Sequence, residues 1–268
     1  MNYHSDKWIM DCVREHYNEA LEYFSEDRIV GIFYQGSGNY GLDYEGSDVD
    51  TKLIVTPTFK DIAMNKQPVS TTHIRANDEH TDWKDIRLYI QTFRKQNLNF
   101  LEILFSPYKI INPMYEEQWD RLIVERENIA HYSPVQAIKA MRGVAKEKYF
   151  AMEHHYPARM EWINKYSYDP KQLHHLLRVE EYIERYINGE SYENCLHSFH
   201  PEHLIEVKKG FYNLEEARAQ ANDAIKHIDL LCDDFLKNTW GVDKDIDLLL
   251  DDVQYEIMKI AIGKEIST

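Results

Sequence analysis

The chain has 268 residues, 43% of them hydrophobic and 29% charged, enough apolar material for one large core or two modest ones, which excludes disordered, collagenous and mini-protein classes. Thirty-one basic residues against 46 acidic ones leave a formal charge of −15, which repels phosphate backbones and excludes broad binding of extended nucleic acid unless a local basic patch is built. Cys12, Cys195 and Cys232 are odd in number and far apart, so neither a disulfide framework nor a four-cysteine zinc site is expected. The first residues lack the basic and apolar regions of a signal peptide, and no apolar run is long enough to cross a membrane. The expected setting is cytoplasmic, with no membrane partner.

Trp8, Cys12, Val13, Tyr17, Leu21 and Phe24 recur at helical spacing after a Ser5-Asp6 start, which predicts an amphipathic helix over 5–24. Ile29 to Tyr34 is a short apolar, β-branched run and reads as a buried strand. The loop over 35–47 holds four of the ten glycines, and Val49 to Val55 follows it as a second strand, stopped by Pro57. Residues 58–65 suit a short helix, Asp85 to Ile90 alternates as a third strand, and a helix over 93–105 closes this half. Past Pro107 strand signals fade, and helical patterns run over about 115–128, 134–153, 168–188, 213–237 and 243–262. The expected fold is α+β: a domain with a mixed sheet over 1–115, followed by an all-α domain over 116–268.

Gly36-Ser37-Gly38-Asn39-Tyr40-Gly41 matches G-x-G-x-x-G after a strand, yet spacing argues against the dinucleotide and kinase readings. Only Leu42 to Ser47 separate Gly41 from Asp48, too few for a Rossmann helix, and no H-R-D catalytic loop follows. What remains is a strand, a Gly-Ser turn, ten residues, and then Asp48-Val49-Asp50. Alternation puts the Asp48 and Asp50 carboxylates on one face with Val49 inward, a like-charge pair that hard divalent cations relieve. A strand headed by Asp85 can lie beside this one and supply a third carboxylate, which makes a two-metal phosphoryl-transfer site. Asp78, Glu79 and Asp82 lie just upstream and compete for that third place, but their polar stretch reads more simply as a solvated loop.

Gly36-Ser37, followed after ten residues by Asp48-x-Asp50 and later by Asp85, resembles the nucleotidyltransferase domain of the DNA polymerase beta superfamily. The run from Gly36 to Leu42 with Gly46-Ser47-Asp48-Val49-Asp50 is most similar to the stand-alone bacterial and phage nucleotidyltransferases of that superfamily. The resemblance covers about residues 29–105. It implies that Gly36 and Ser37 hold a nucleoside triphosphate such as ATP, and that Asp48, Asp50 and Asp85 bind two Mg²⁺ ions, with Mn²⁺ as a substitute. Asp85 would serve the ion that activates the acceptor.

Lys171, His175 and Arg178, at i, i+4 and i+7, share one face of the helix over 168–188, and this Lys-x-x-x-His-x-x-Arg spacing resembles a helix of the same family. The resemblance assigns Lys171 and Arg178 to the triphosphate or the leaving pyrophosphate and His175 to hydrogen-bond donation. The alternative is a solvated face paired with Glu180, Glu181 or Glu184. Lys139, Arg142 and Lys146 form a second basic stripe that either meets phosphate or is solvated. Cys195, His197, His200 and His203 have no recognised zinc spacing and read as a surface loop.

The expected activity is transfer of an NMP from an NTP to a hydroxyl acceptor with release of pyrophosphate. The acceptor is open among a small molecule, a tRNA end and a protein. Two other readings are kept: a nucleotide-binding regulator without turnover, and a toxin or antitoxin-type transferase acting on tRNA or protein.

Overall fold

In a computed structural model describing residues 3–267, the chain is α+β, and its contacts divide it into two compact units. Unit 1 comprises Met1–Asn39, Asp43–Tyr132 and Val242–Thr268, and unit 2 comprises Tyr40–Leu42 and Ser133–Gly241. The sequence places one boundary after residue 115; the contacts carry unit 1 on to Tyr132 and return the last helix to it. No helix among the described residues is long and apolar enough to cross a membrane.

Unit 1 is built on a five-stranded mixed sheet in the order β3-β4-β2-β1-β5, from β1 (Ile29–Gln35), β2 (Asp50–Val55), β3 (Ser70–Ile74), β4 (His80–Asp85) and β5 (Lys109–Ile111). β2 and β4 run parallel, and the other neighbours are antiparallel. Helix α1 (Asp6–Ala20), capped by the Ser5 hydroxyl, lays Ile9, Val13 and Ala20 against Ile32, Tyr34, Leu53, Val55 and Trp83. Those five side chains alternate along their strands, so one sheet face is apolar.

Helix α2 (Phe59–Ala63) leads to β3, and β4 is followed at once by α3 (Ile86–Arg94). The expected strand over 85–90 is therefore a helix. Ile86, Tyr89, Ile90 and Phe93 are its buried residues, an i, i+3, i+4, i+7 stripe whose first half also satisfies a two-residue alternation. The carboxylate of Asp85 caps it by accepting from Arg87 N. The helix expected over 93–105 is likewise split. Gln96 takes a positive φ of 52°, Asn97 caps α4 (Leu98–Leu101), and Glu102–Leu104 continue as a 3₁₀ turn. β3 and β4 carry too few apolar residues to have been read as strands, and β5, at three residues, is too short. α5 (Glu116–Val124) and α6 (Arg126–Ala130) complete the run to Tyr132.

Unit 2 packs α7 (Pro134–Ala151), α8 (Met160–Tyr166), α9 (Pro170–Ile187), α10 (Tyr192–Leu196), α11 (Pro201–Lys208) and α12 (Leu214–Asn238), with α9 touching α7, α10, α11 and α12. Cys195 to His203, expected as a loop, contributes to α10 and α11. Helix α13 (Lys244–Ser267) belongs to unit 1, where Arg94 of α3 binds Asp247 and Asp251.

Candidate active site

The Gly-Ser turn and the acidic run meet at one end of the sheet. In the β1–β2 pair Gln35 stands opposite Asp50, so Gly36 leaves the sheet at the residue next to the second aspartate's partner. Ser37 Oγ donates to Ser47 Oγ at 3.4 Å, and Ser47 Oγ accepts from Tyr44 N at 3.0 Å. That link joins the turn to the residue immediately before Asp48. Gly36 is required for a local steric reason as well: a Cβ there would lie 2.7 Å from Tyr34 Oη, and the Tyr34 ring is buried. The same hydroxyl accepts from Gly38 N at 3.0 Å, so the tyrosine shapes the turn from beneath.

Val49 is buried between an exposed Asp48 and a half-buried Asp50. Asp50 Oδ1 accepts from His80 N at 2.9 Å, an anchor across the β2–β4 edge that leaves the carboxylate 44% exposed. The two aspartates of the motif thus stand solvent-accessible beside the Gly-Ser turn.

Asp85 does not join them. The register pairs Asp85 with Val55, five residues along β2 from Asp50, or about 17 Å at ordinary strand rise. Partners in a parallel pair face alike, so Asp85 also lies on the opposite face from Asp50. Its carboxylate is buried, accepts from Arg87 Nε at 2.9 Å and Arg87 Nη2 at 2.7 Å, and caps α3. These contacts make it a structural residue.

The acid that shares the face of Asp50 is Asp82, opposite Lys52 in the register and about 8 Å diagonally from Asp50 between Cα atoms. Its Oδ1 accepts from Thr72 Oγ1 at 2.6 Å and its Oδ2 from the Lys52 ammonium. Burial alone would raise the Asp82 carboxyl, but Lys52 and Thr72 outweigh it and hold it below its ordinary value. Lys52, only 4% exposed, also sits 4.4 Å from the Phe100 ring centroid, and Lys84 sits 4.9 Å from the same ring. The signal for Asp82 was the alternation of buried Thr81, Trp83 and Asp85 in His80–Asp85, hidden by the polar residues between them.

Hard divalent cations need oxygen donors, and Asp48 with Asp50 fits one such ion. A second ion would draw on Asp82, whose oxygens are both engaged. No group of three or more His, Cys, Asp or Glu side chains among the described residues is arranged to hold a metal.

The α9 residues belong to unit 2. Arg178 is 9% exposed, its guanidinium carbon lies 3.5 Å from the centroid of Tyr40, and its Nε and Nη2 are buried without a hydrogen-bond acceptor. A buried guanidinium with two idle donors is expensive unless an anion completes it. Burial, with His174, Lys171, Arg178 and Lys148 nearby, pushes His175 well below its ordinary value, so the ring is neutral and offers a hydrogen bond rather than a charge. The second basic stripe is largely consumed within the unit. Arg142 binds Asp229 at 2.6 Å and Asp233 at 2.7 Å, and Lys146 binds Asp229 at 3.3 Å. Cys195 is buried, with Sγ 3.9 Å from Glu190 O.

A mixed sheet whose first strand ends in a Gly-Ser turn beside an Asp-x-Asp segment is the arrangement of the DNA polymerase beta nucleotidyltransferase superfamily, the class to which this chain belongs. Over residues 13–216 the sequence matches RlaP, described as an RNA repair pathway DNA polymerase beta family, and the chain belongs to that family. Among solved structures it is similar to a nucleotidyltransferase-like protein from Exiguobacterium sibiricum, at 12% identity and a TM-score of 0.29, with 94% of this chain and 80% of that one covered. No curated protein matches the sequence.

Proposed function

We propose that the chain is a divalent-cation-dependent nucleotidyltransferase that moves an NMP from an NTP to a hydroxyl at an RNA end. The observation that carries this reading is the Ser37–Ser47 contact together with the Gln35–Asp50 pairing, which set the Gly-Ser turn and two solvent-accessible carboxylates at one sheet end. The RNA acceptor is favoured by the family's description over the small-molecule and protein alternatives. The formal charge of −15 limits contact to a short end rather than an extended strand. The cytoplasm, where NTPs and RNA ends coexist, is the matching setting.

In this reading Gly36 and Ser37 receive the triphosphate, while Asp48 and Asp50 hold Mg²⁺ or Mn²⁺, with Asp82 in the place expected of Asp85. The bound ion would supply charge neutralisation at the phosphates and a lowered pKa for the attacking hydroxyl. The acceptor oxygen bonds to the α-phosphorus, the bond from that phosphorus to the α–β bridging oxygen breaks, pyrophosphate leaves with the electron pair, and the hydroxyl proton passes to water. The family resemblance assigns Lys171 and Arg178 to phosphate and His175 to hydrogen-bond donation, and within unit 2 the idle donors of Arg178 support an anion-binding role.

The test is incubation with each α-labelled NTP, Mg²⁺ or Mn²⁺, and RNA carrying either a free or a chemically blocked 3′ terminus. Label on the free terminus, with pyrophosphate released and both lost in Asp50→Ala, is the expected result. Label on a protein or metabolite instead would overturn the acceptor, and label that persists in Asp50→Ala would overturn the chemistry. The engagement of both Asp82 oxygens favours one second reading, a nucleotide-binding regulator without turnover. Calorimetric NTP binding without pyrophosphate release would identify it.

A further inference from the structure

Trp162 and Tyr166 stand about one turn apart on α8, the helix whose buried residue is Ile163. Their rings are half-buried and lie beside each other, with centroids 5.9 Å apart and planes within 16°. Neither belongs to the buried core, yet the surrounding residues hold both in place. Tyr166 Oη donates to Lys209 O at 2.9 Å, and its ring fills the space a Cβ at position 210 would need, 2.2 Å from such an atom. Glycine stands there, at a φ of 89° that it adopts without strain. Arg159 lies 5.4 Å from the Trp162 centroid and is itself anchored, its Nε and Nη2 each donating to the buried Asp169 carboxylate at 2.7 Å. Exposed Lys165 reaches to 4.8 Å from the Tyr166 centroid.

Charge here runs against that of the chain. Residues 154–178 carry four basic side chains, four histidines and two acids, in a sequence where acids outnumber bases 46 to 31. One of the two acids is Asp169, engaged by Arg159 and by capping α9 through Lys171 N. Lys209, whose carbonyl holds Tyr166, brings a further exposed basic residue to the same place. We propose that Trp162 and Tyr166, flanked by Arg159 and Lys165, form a stacking platform for unpaired nucleotides of a single-stranded RNA. This rests on the RNA-end reading and names the surface of unit 2 that receives the strand. Every base has a π-face, so fixed aromatic rings take it whatever the sequence, while neighbouring cations meet the phosphates. Rings already held in position lose little freedom when a base stacks on them. Because Asp169 ties Arg159 to the first turn of α9, the platform adjoins the helix that carries Lys171, His175 and Arg178.

The probe is a fluorescein-labelled single-stranded oligoribonucleotide, followed by anisotropy without NTP or divalent cation so that the result does not depend on turnover. Trp162→Ala should weaken binding about tenfold, the loss of one stacked base, and Trp162→Phe should restore most of it. Lys165→Gln should flatten the slope of log affinity against log salt by about 0.7, one phosphate contact on a single strand. A fully paired duplex should compete poorly, because its bases are already stacked on one another. Affinity unchanged in both variants, or a duplex that competes as well as the single strand, overturns the proposal. Binding of an acidic peptide that needs Trp162, with no binding of the oligoribonucleotide, would assign the platform to a protein partner instead. Photocrosslinking of a thiouridine-bearing strand to the unmodified protein guards against a variant that does not fold. Mass spectrometry should find adducts on Trp162 or Tyr166, and adducts confined to other segments overturn the proposal. RNA binding indifferent to the platform, with transfer to the RNA end intact, defeats only this inference. A strand held on the platform that never gains label defeats the transferase reading and leaves the platform standing.

Discussion

Asp85 and Asp50 lie on neighbouring strands and have opposite surroundings, which makes their substitutions diagnostic. Asp85→Ala removes an N-cap and both Arg87 contacts at a buried position. It should cost about 1–3 kcal/mol of stability, seen as a lower Tm, with pyrophosphate release per folded molecule retained. Asp50→Ala loses the bond from His80 N and a half-exposed charge. It should leave Tm nearly unchanged while pyrophosphate release falls by a factor of about 10² or more. An Asp85 variant that is stable and inactive would restore it to the site. The Gly-Ser turn and the Asp-Val-Asp alternation were legible because each is a local pattern of a few residues. The exchange of Asp85 for Asp82 was not, since Asp85 to Ile90 satisfies a strand's alternation and a helix's first turns equally well over so short a window.

At the level of elements, α9 and α7 carry basic stripes of similar spacing with different partners. Arg142 of α7 pairs with Asp229 and Asp233 of α12, both substantially exposed. Arg142→Met should therefore cost no more than about 1 kcal/mol and leave KM for the NTP unchanged. Arg178 of α9 is buried with two idle donors. Arg178→Met should hold or raise Tm, because a desolvated charge is lost, while KM for the NTP rises about tenfold. Equal KM in the two variants would remove α9 from the phosphate site. Period alone located both helices. It did not tell which stripe meets carboxylates, because those carboxylates sit on α12, more than eighty residues away in sequence for Arg142.

For the molecule as a whole, the acid limb of the stability curve should carry the signature of Glu79. Burial would raise its carboxyl, but the His16 hydrogen bond, Asn77 and Arg75 draw it down from 4.5 to about 2. A group depressed in the folded state stabilises above its unfolded value and loses that contribution as pH falls through its folded value. Tm should therefore decline between about pH 4.5 and pH 2, and Glu79→Gln should be less stable at neutral pH with a flatter decline over that interval. An unchanged slope in Glu79→Gln would show that the network joining Glu79 to His16, with Thr51 and Thr81 on the other ring nitrogen, does not govern acid unfolding.

The chain's own pattern determined the α+β class, the buried strands, the long helices and the paired aspartates after a Gly-Ser turn, because short-range periodicity and turn chemistry are written in neighbouring residues. Tertiary structure alone decided which third carboxylate shares their face, that Lys52 holds it, that Tyr34 demands a glycine at position 36, and that the last helix returns to the first unit. Each of those depends on strand register or on partners distant in sequence, and polar strands such as β3 and β4 announce neither until they are paired.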